Sequence, residues 1–136
     1  MRPKQAPHFS FALEELQESH LAPRLRTRAM FGSLAIYVDE KIVFILRKKQ
    51  DPKSLRDNGV WMATMPEYIR SLMVEFPTAR PIELFQTGGR KGFSGWLNLP
   101  ENEEDFEEAA IRACRRVISE DPRFGKIPKS RTTRRR

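Results

Sequence analysis

The chain has 136 residues, 39% of them apolar, a single cysteine and a net charge of +7 at pH 7, which sets one domain with a core of its own. One cysteine excludes an internal disulfide framework and fits a reducing cytoplasm. No apolar run reaches the ~20 residues of a membrane span, and the opening MRPKQAPHFSF lacks the apolar segment of a secretory signal, so a cytoplasmic protein without membrane contact is expected. The charge is concentrated: residues 121–136 hold seven basic residues and one acid, which leaves +1 for the preceding 120. Electrostatic binding is therefore expected in the tail and not in the body.

Residues 1–8 read as an irregular lead-in. Ser10 is placed to N-cap a helix running to about Leu25, with Leu13, Leu16, His20 and Leu21 near one stripe, and Pro23 kinks or ends it. His20 reads as a partly buried helix residue, since His8 is the only other histidine and no cysteine or carboxylate cluster joins them. Met30–Lys48 is the longest apolar tract, broken only by Asp39-Glu40-Lys41, and predicts a β-hairpin. Met30, Gly32, Leu34, Ile36 and Val38 share one face, and Phe31, Ser33, Ala35 and Tyr37 the other. In the second strand Ile42, Phe44 and Leu46 alternate with Val43, Ile45 and Arg47. Apolar residues on both faces predict central strands covered on part of each face.

A polar loop, Lys49–Asn58, leads to a strand over Val60–Ala63. Thr64-Met65-Pro66-Glu67 has the form of a capping box. It opens a helix carrying Tyr68, Ile69, Leu72, Met73 and Phe76, which Pro77 stops. A second hairpin is predicted from Ile82–Gln86 and Phe93–Leu99, joined by Thr87–Gly92 and ended by Pro100. Residues 101–108 hold six acids and suit a helix N-terminus. Phe106, Ala109, Ala110, Ala113, Cys114, Val117 and Ile118 then recur at helical spacing. Asp121-Pro122 ends the helix. The expected fold is α+β, a single antiparallel five-stranded sheet in the order α-β3-α-β2-α. The domain spans 1–122, followed by a basic, extended or disordered tail over 123–136.

No motif assigns a catalytic residue, a cofactor or a metal. The loop TGGRKG lacks P-loop spacing and joins strands without opening a helix; Arg90 and Lys91 could still touch an acidic partner. Cys114 lies on the apolar stripe and reads as buried and inert. The acids of 101–108 would point around a helix and not converge on an ion. Trp61 and Trp96 could flank a pocket, although core or interface is the commoner role for aromatics on strands. The tail cations Lys126, Lys129, Arg131, Arg134, Arg135 and Arg136 are the candidate nucleic-acid contacts, acting through counterion release without sequence preference. A solvated terminus with no partner is the competing reading.

Met30-Phe31-Gly32, followed by strand, acidic turn and strand, resembles the opening of the N-terminal domain of the TfoX/Sxy family. Gly59–Thr64, Phe76-Pro77, Gly95-Trp96, Asp105-Phe106-Glu107 and Asp121–Lys129 resemble the small MmcQ/YjbR proteins. The resemblance covers roughly residues 25–130. It implies a secretion-chaperone-like α+β fold and, for function, competence regulation or DNA binding, with no catalytic motif to carry over. The expectation is a non-enzymatic binding or adaptor domain, monomeric or homodimeric, in DNA-linked regulation with a nucleic-acid-binding tail. The alternative is a chaperone-like dimeric module that binds a protein partner.

Overall fold

The computed structural model describes residues 9–30, 32–50, 57–82 and 95–128. The elements are α1 (Ser10–Gln17), β1 (Leu25–Met30), β2 (Ser33–Val38), β3 (Lys41–Arg47), β4 (Gly59–Ala63), α2 (Ile69–Glu75), β5 (Arg80–Pro81), β6 (Trp96–Pro100) and α3 (Phe106–Ile118). All strand pairs are antiparallel, and the sheet runs β1-β2-β3-β4-β6-β5. The class is α+β as expected, but the sheet has six strands among the described residues and not five. No helix among them is long and apolar enough to cross a membrane.

The additional strand is β1. The first helix stops at Gln17 instead of continuing to Leu25. Ser19 draws the chain out of it: its hydroxyl donates to the Leu16 carbonyl (2.7 Å) and accepts from the Leu21 amide (3.1 Å). Pro23 sits inside a 3-10 turn, Ala22–Arg24, with its fixed φ in the first positions where it is tolerated. LRTRAM then pairs with β2 without interruption, from Leu25↔Val38 to Met30↔Ser33. The turn between them includes Gly32 at φ +82°, a left-handed value glycine adopts freely. Met30 therefore belongs to the strand before this turn and not to the one after it. Ser10 is the first helical residue and makes no cap; the N-cap is Phe9. His20 lies past the helix, exposed, 3.7 Å from Glu120.

Between β2 and β3 the register jumps from Ile36↔Phe44 to Tyr37↔Ile42, which leaves Val43 as a bulge. The bulge changes the phase of β3. Val43, Phe44 and Leu46 all point to the helix side, and Ile42 and Ile45 point to the other. The simple alternation expected for this strand is therefore broken after Ile42.

Helices α1, α2 and α3 cover one face. Their core holds Ala12, Leu16, Leu72, Phe76 and the α3 stripe Phe106, Ala109, Ala110, Ala113, Cys114 and Val117, packed on Ile36, Phe44, Met62, Leu97 and Leu99. Phe9 and Phe11 meet the Phe106 ring edge-on at 5.1 and 5.9 Å. A second, smaller cluster of Ala35, Ile42, Ile45, Trp61, Ala63, Ile82 and Trp96 lies on the opposite face.

Thr64 does not form a capping box. Its hydroxyl donates to the Arg123 carbonyl (2.7 Å), and α2 is entered through a 3-10 turn, Pro66–Tyr68, without a side-chain cap. Of the strand expected over Ile82–Gln86 only Ile82 is described; β5 is Arg80–Pro81, with Arg80↔Asn98 and Pro81↔Leu97. Residues 83–94, which include the glycine loop Thr87–Gly92, lie outside the described residues. Pro100 is inside β6, opposite Gly59. Only Glu107 and Glu108 of the acid run are in the first turn of α3. Glu101, Glu103 and Asp105 precede the helix and meet Lys48, Arg80 and the Thr78 hydroxyl instead.

Candidate nucleic-acid interface

The face of the sheet that α1, α2 and α3 leave uncovered is where the strands place cations and aromatic rings together. Cross-strand partners share a face, and the pairs Arg26↔Tyr37, Arg28↔Ala35, Ala35↔Ile45, Ile45↔Trp61, Trp61↔Asn98 and Arg80↔Asn98 trace it across all six strands. Arg47, opposite Gly59, lies on the same face. None of these strand positions is acidic.

The centre of the face is closed. Trp61 and Trp96 are buried with ring centroids 5.9 Å apart. The Trp61 indole donates to the Asp57 carbonyl (2.8 Å). Arg47, 5% exposed, lies 5.3 Å from the Trp61 ring. Burial pulls its pKa down and the charge of Asp57 opposes this. Asn58 fixes the local backbone: its side-chain oxygen accepts from the Lys49 amide (2.8 Å) and from Arg47 (3.3 Å), while its amide donates back to the Lys49 carbonyl (2.9 Å).

The β1 margin of the face is open. Arg26 and Arg28 are exposed and Tyr37 is half-buried; the Arg26 guanidinium lies 5.4 Å from the Tyr37 ring centroid. Four other arginines hold carboxylates, Arg24 with Asp39 (2.8 Å), Arg80 with Glu103 (3.2 Å), Arg115 with Glu15 (3.1 Å) and Arg116 with Glu75 (2.7 Å), whereas Arg70, also exposed, holds none among the described residues. Among the described residues no carboxylate is within ion-pair distance of Arg26 or Arg28, although Asp39 feels Arg26 at longer range.

The tail is rooted beside this face. The fork of Arg123 donates to the Ser71 hydroxyl (2.8 Å), to Glu75 (2.6 Å) and to Asp121 (2.9 Å). Hydrogen bonding from Arg123 holds the Asp121 carboxyl below its ordinary pKa. Glu75, which burial alone would raise, is also brought down, by its bonds from Arg116 and Arg123. Phe124, 2% exposed, packs against Phe44 and Phe76. The backbone then continues alongside β3 where β4 ends: the Gly125 amide donates to Ala63 (2.8 Å), and Lys126 exchanges both of its bonds with Ile42 (3.1 and 2.9 Å). The packed part of the chain thus reaches Lys126, and the boundary expected at residue 122 falls short of it by a buried aromatic. Because Lys126 pairs with Ile42, its side chain joins the face opposite α1, α2 and α3, where Nζ lies 4.7 Å from the Trp96 ring centroid. Gly95 leaves the room for it; a Cβ there would sit 2.1 Å from Nζ.

Of the six expected nucleic-acid contacts, Lys126 is therefore anchored in the fold, and Lys129, Arg131, Arg134, Arg135 and Arg136 lie outside the described residues, as do Arg90 and Lys91. Arg26 and Arg28 were not among the expected contacts. The signal for them was the Arg-Thr-Arg alternation of period two, visible only once that stretch is read as a strand. Cys114 is fully buried with its thiol against the Ala12 carbonyl (3.5 Å), and burial pushes its pKa up to about 12. On the far side of the tail root, a cleft of about 410 Å³ has an apolar floor of Leu21, Val38, Val43, Val117 and Phe124 and a charged rim that includes Arg24, Asp39 and Glu120.

No protein-family model matches the chain, and no curated protein or solved structure is similar enough to count as a match.

Proposed function

We propose that the protein is a non-enzymatic, cytoplasmic nucleic-acid-binding module serving DNA-linked regulation, in which the cations after residue 125 bind the phosphate backbone from a root fixed on the sheet. The observation that carries this reading is the position of Lys126. It roots the basic tail on a sheet face whose described strand positions carry arginines and no acid, with Arg26 and Arg28 exposed, which favours a polyanion as the partner. The resemblance to the TfoX/Sxy and MmcQ/YjbR proteins points the same way. A non-enzymatic role fits Cys114, which is buried and held protonated.

Binding of this kind is indifferent to sequence, since phosphate contacts position a protein without reading bases. The test is a mobility-shift titration of the full chain with unrelated duplexes at low salt. Similar affinity for each duplex, lost as salt rises, is expected. If no duplex binds at low salt, the reading is wrong and a protein partner takes its place.

A further inference from the structure

Arg26, Tyr37 and Arg28 form a strip on the open margin of the sheet that the tail does not account for. Arg26 and Arg28 stand two residues apart on the edge strand and point to the same side as Tyr37. The Arg26 guanidinium is already seated over the Tyr37 ring. Both arginines are exposed, and neither holds a carboxylate among the described residues. We infer that this strip binds an unpaired nucleic-acid strand, with phosphates on Arg26 and Arg28 and a base stacked on the Arg26–Tyr37 pair. The inference rests on the reading of the protein as a nucleic-acid binder and adds a site in the folded body, with a preference for single strands.

Arginine planes and aromatic rings on a sheet surface are stacking platforms for bases whose faces are free, and every base has such a face, so the contact tolerates any sequence. In a duplex those faces are stacked away, leaving Tyr37 nothing to bind while the two arginines still reach phosphate. A second copy of this chain paired antiparallel along the β1 edge and centred on Thr27 would set Arg26 of each copy across from Arg28 of the other, and like charges on facing strands repel. An acidic polypeptide would satisfy the arginines but gain nothing from Tyr37, which separates it from a nucleic-acid strand by experiment.

The experiment uses the full chain and measures fluorescence anisotropy with a labelled oligothymidylate and with a duplex of equal length. Four variants are compared with wild type: Tyr37→Leu, Tyr37→Phe, Arg28→Gln, and a tail variant with Lys129, Arg131, Arg134, Arg135 and Arg136 all changed to Gln. Tyr37→Leu is expected to weaken oligothymidylate binding about tenfold, the loss of one stacked base, and to leave duplex binding within about twofold. Tyr37→Phe keeps the ring and should bind both as wild type does, which distinguishes lost stacking from lost folding. Arg28→Gln should weaken both ligands and lower the log–log salt slope by about one.

If Tyr37→Leu binds oligothymidylate as wild type does while the tail variant loses both ligands, the strip is not a site and the proposed function stands. Displacement of oligothymidylate by polyglutamate at equal charge, with Tyr37→Leu equally affected, assigns the strip to acidic polypeptides and overturns the inference. If wild type binds neither nucleic acid at low salt, the proposed function fails and the inference fails with it.

Discussion

Ending the chain at Pro122 removes more than a tail. Phe124 is 2% exposed and meets the Phe44 and Phe76 rings at 6.2 and 6.3 Å; truncating a buried phenylalanine to alanine costs ~3–5 kcal/mol. The shortened chain also loses the bond from Thr64 to the Arg123 carbonyl, the bond from Gly125 to Ala63, and the pair between Lys126 and Ile42, each worth ~1 kcal/mol net. Arg123 no longer satisfies Glu75 and Asp121, two carboxylates on the same surface. The combined loss, on the order of 7 kcal/mol, is comparable with the whole stability of a domain of this size, ~5–15 kcal/mol. Ending the chain at Pro128 spares all of these contacts. Urea denaturation followed by the fluorescence of Trp61 and Trp96 separates the cases. The chain ending at Pro128 is expected to share the midpoint of the full chain, Phe124→Ala to unfold at clearly lower urea, and the chain ending at Pro122 to be unfolded or nearly so without denaturant. A Pro122 chain that melts with the full-length midpoint would refute the placement of Arg123–Lys126 in the fold.

Further outcomes follow from the same contacts. Cys114→Asp places a carboxylate at a fully buried position between α1 and α3 and should cost more than ~3 kcal/mol, whereas Cys114→Ser should cost ~1–2 kcal/mol, both read from urea midpoints. Glu120 ends α3 with φ +61°, a conformation that glycine adopts without strain. Glu120→Gly should raise the melting temperature, by an amount equivalent to up to ~1 kcal/mol, because the exposed contacts it gives up with His20 and Arg24 contribute little. Arg123 holds Asp121 and Glu75 below their ordinary pKa values. Groups with a depressed folded pKa stabilise fully above the unfolded value, about 4 for a carboxylate, and lose that contribution as pH falls through the folded value. The stability gap between wild type and Arg123→Gln should accordingly be widest at neutral pH and narrow below about pH 4, and a gap that is constant across this range would contradict the pairing.

Much of the fold was legible because its signals are local. The α3 stripe from Phe106 to Val117 is buried as its spacing implies, and the β2–β3 hairpin turns at Asp39-Glu40 as the polar break indicates. What escaped depends on contacts distant in sequence. LRTRAM carries no apolar alternation, because an edge strand exposed at Arg26–Ala29 has no face to bury, so its pairing with β2 is invisible from residue types. The bulge at Val43 is set by the fit of β3 against β2. Thr64 had a local cap available and instead holds Arg123, 59 residues away. The candidate interface was hidden by summation: a body charge of +1 conceals a fold that puts its described acids in turns and helices and leaves Arg26 and Arg28 without a carboxylate partner among the described residues.

Binding of nucleic-acid backbone by the tail is read from the salt dependence of duplex binding. Full chain is compared with the variant in which Lys129, Arg131, Arg134, Arg135 and Arg136 are replaced by Gln, a change that leaves every described residue in place. Each phosphate neutralised contributes ~0.9 to the log–log slope, so removing the five tail cations should flatten it by about 4–5. An unchanged slope and affinity in the variant, or no binding by the full chain at low salt, would contradict the account.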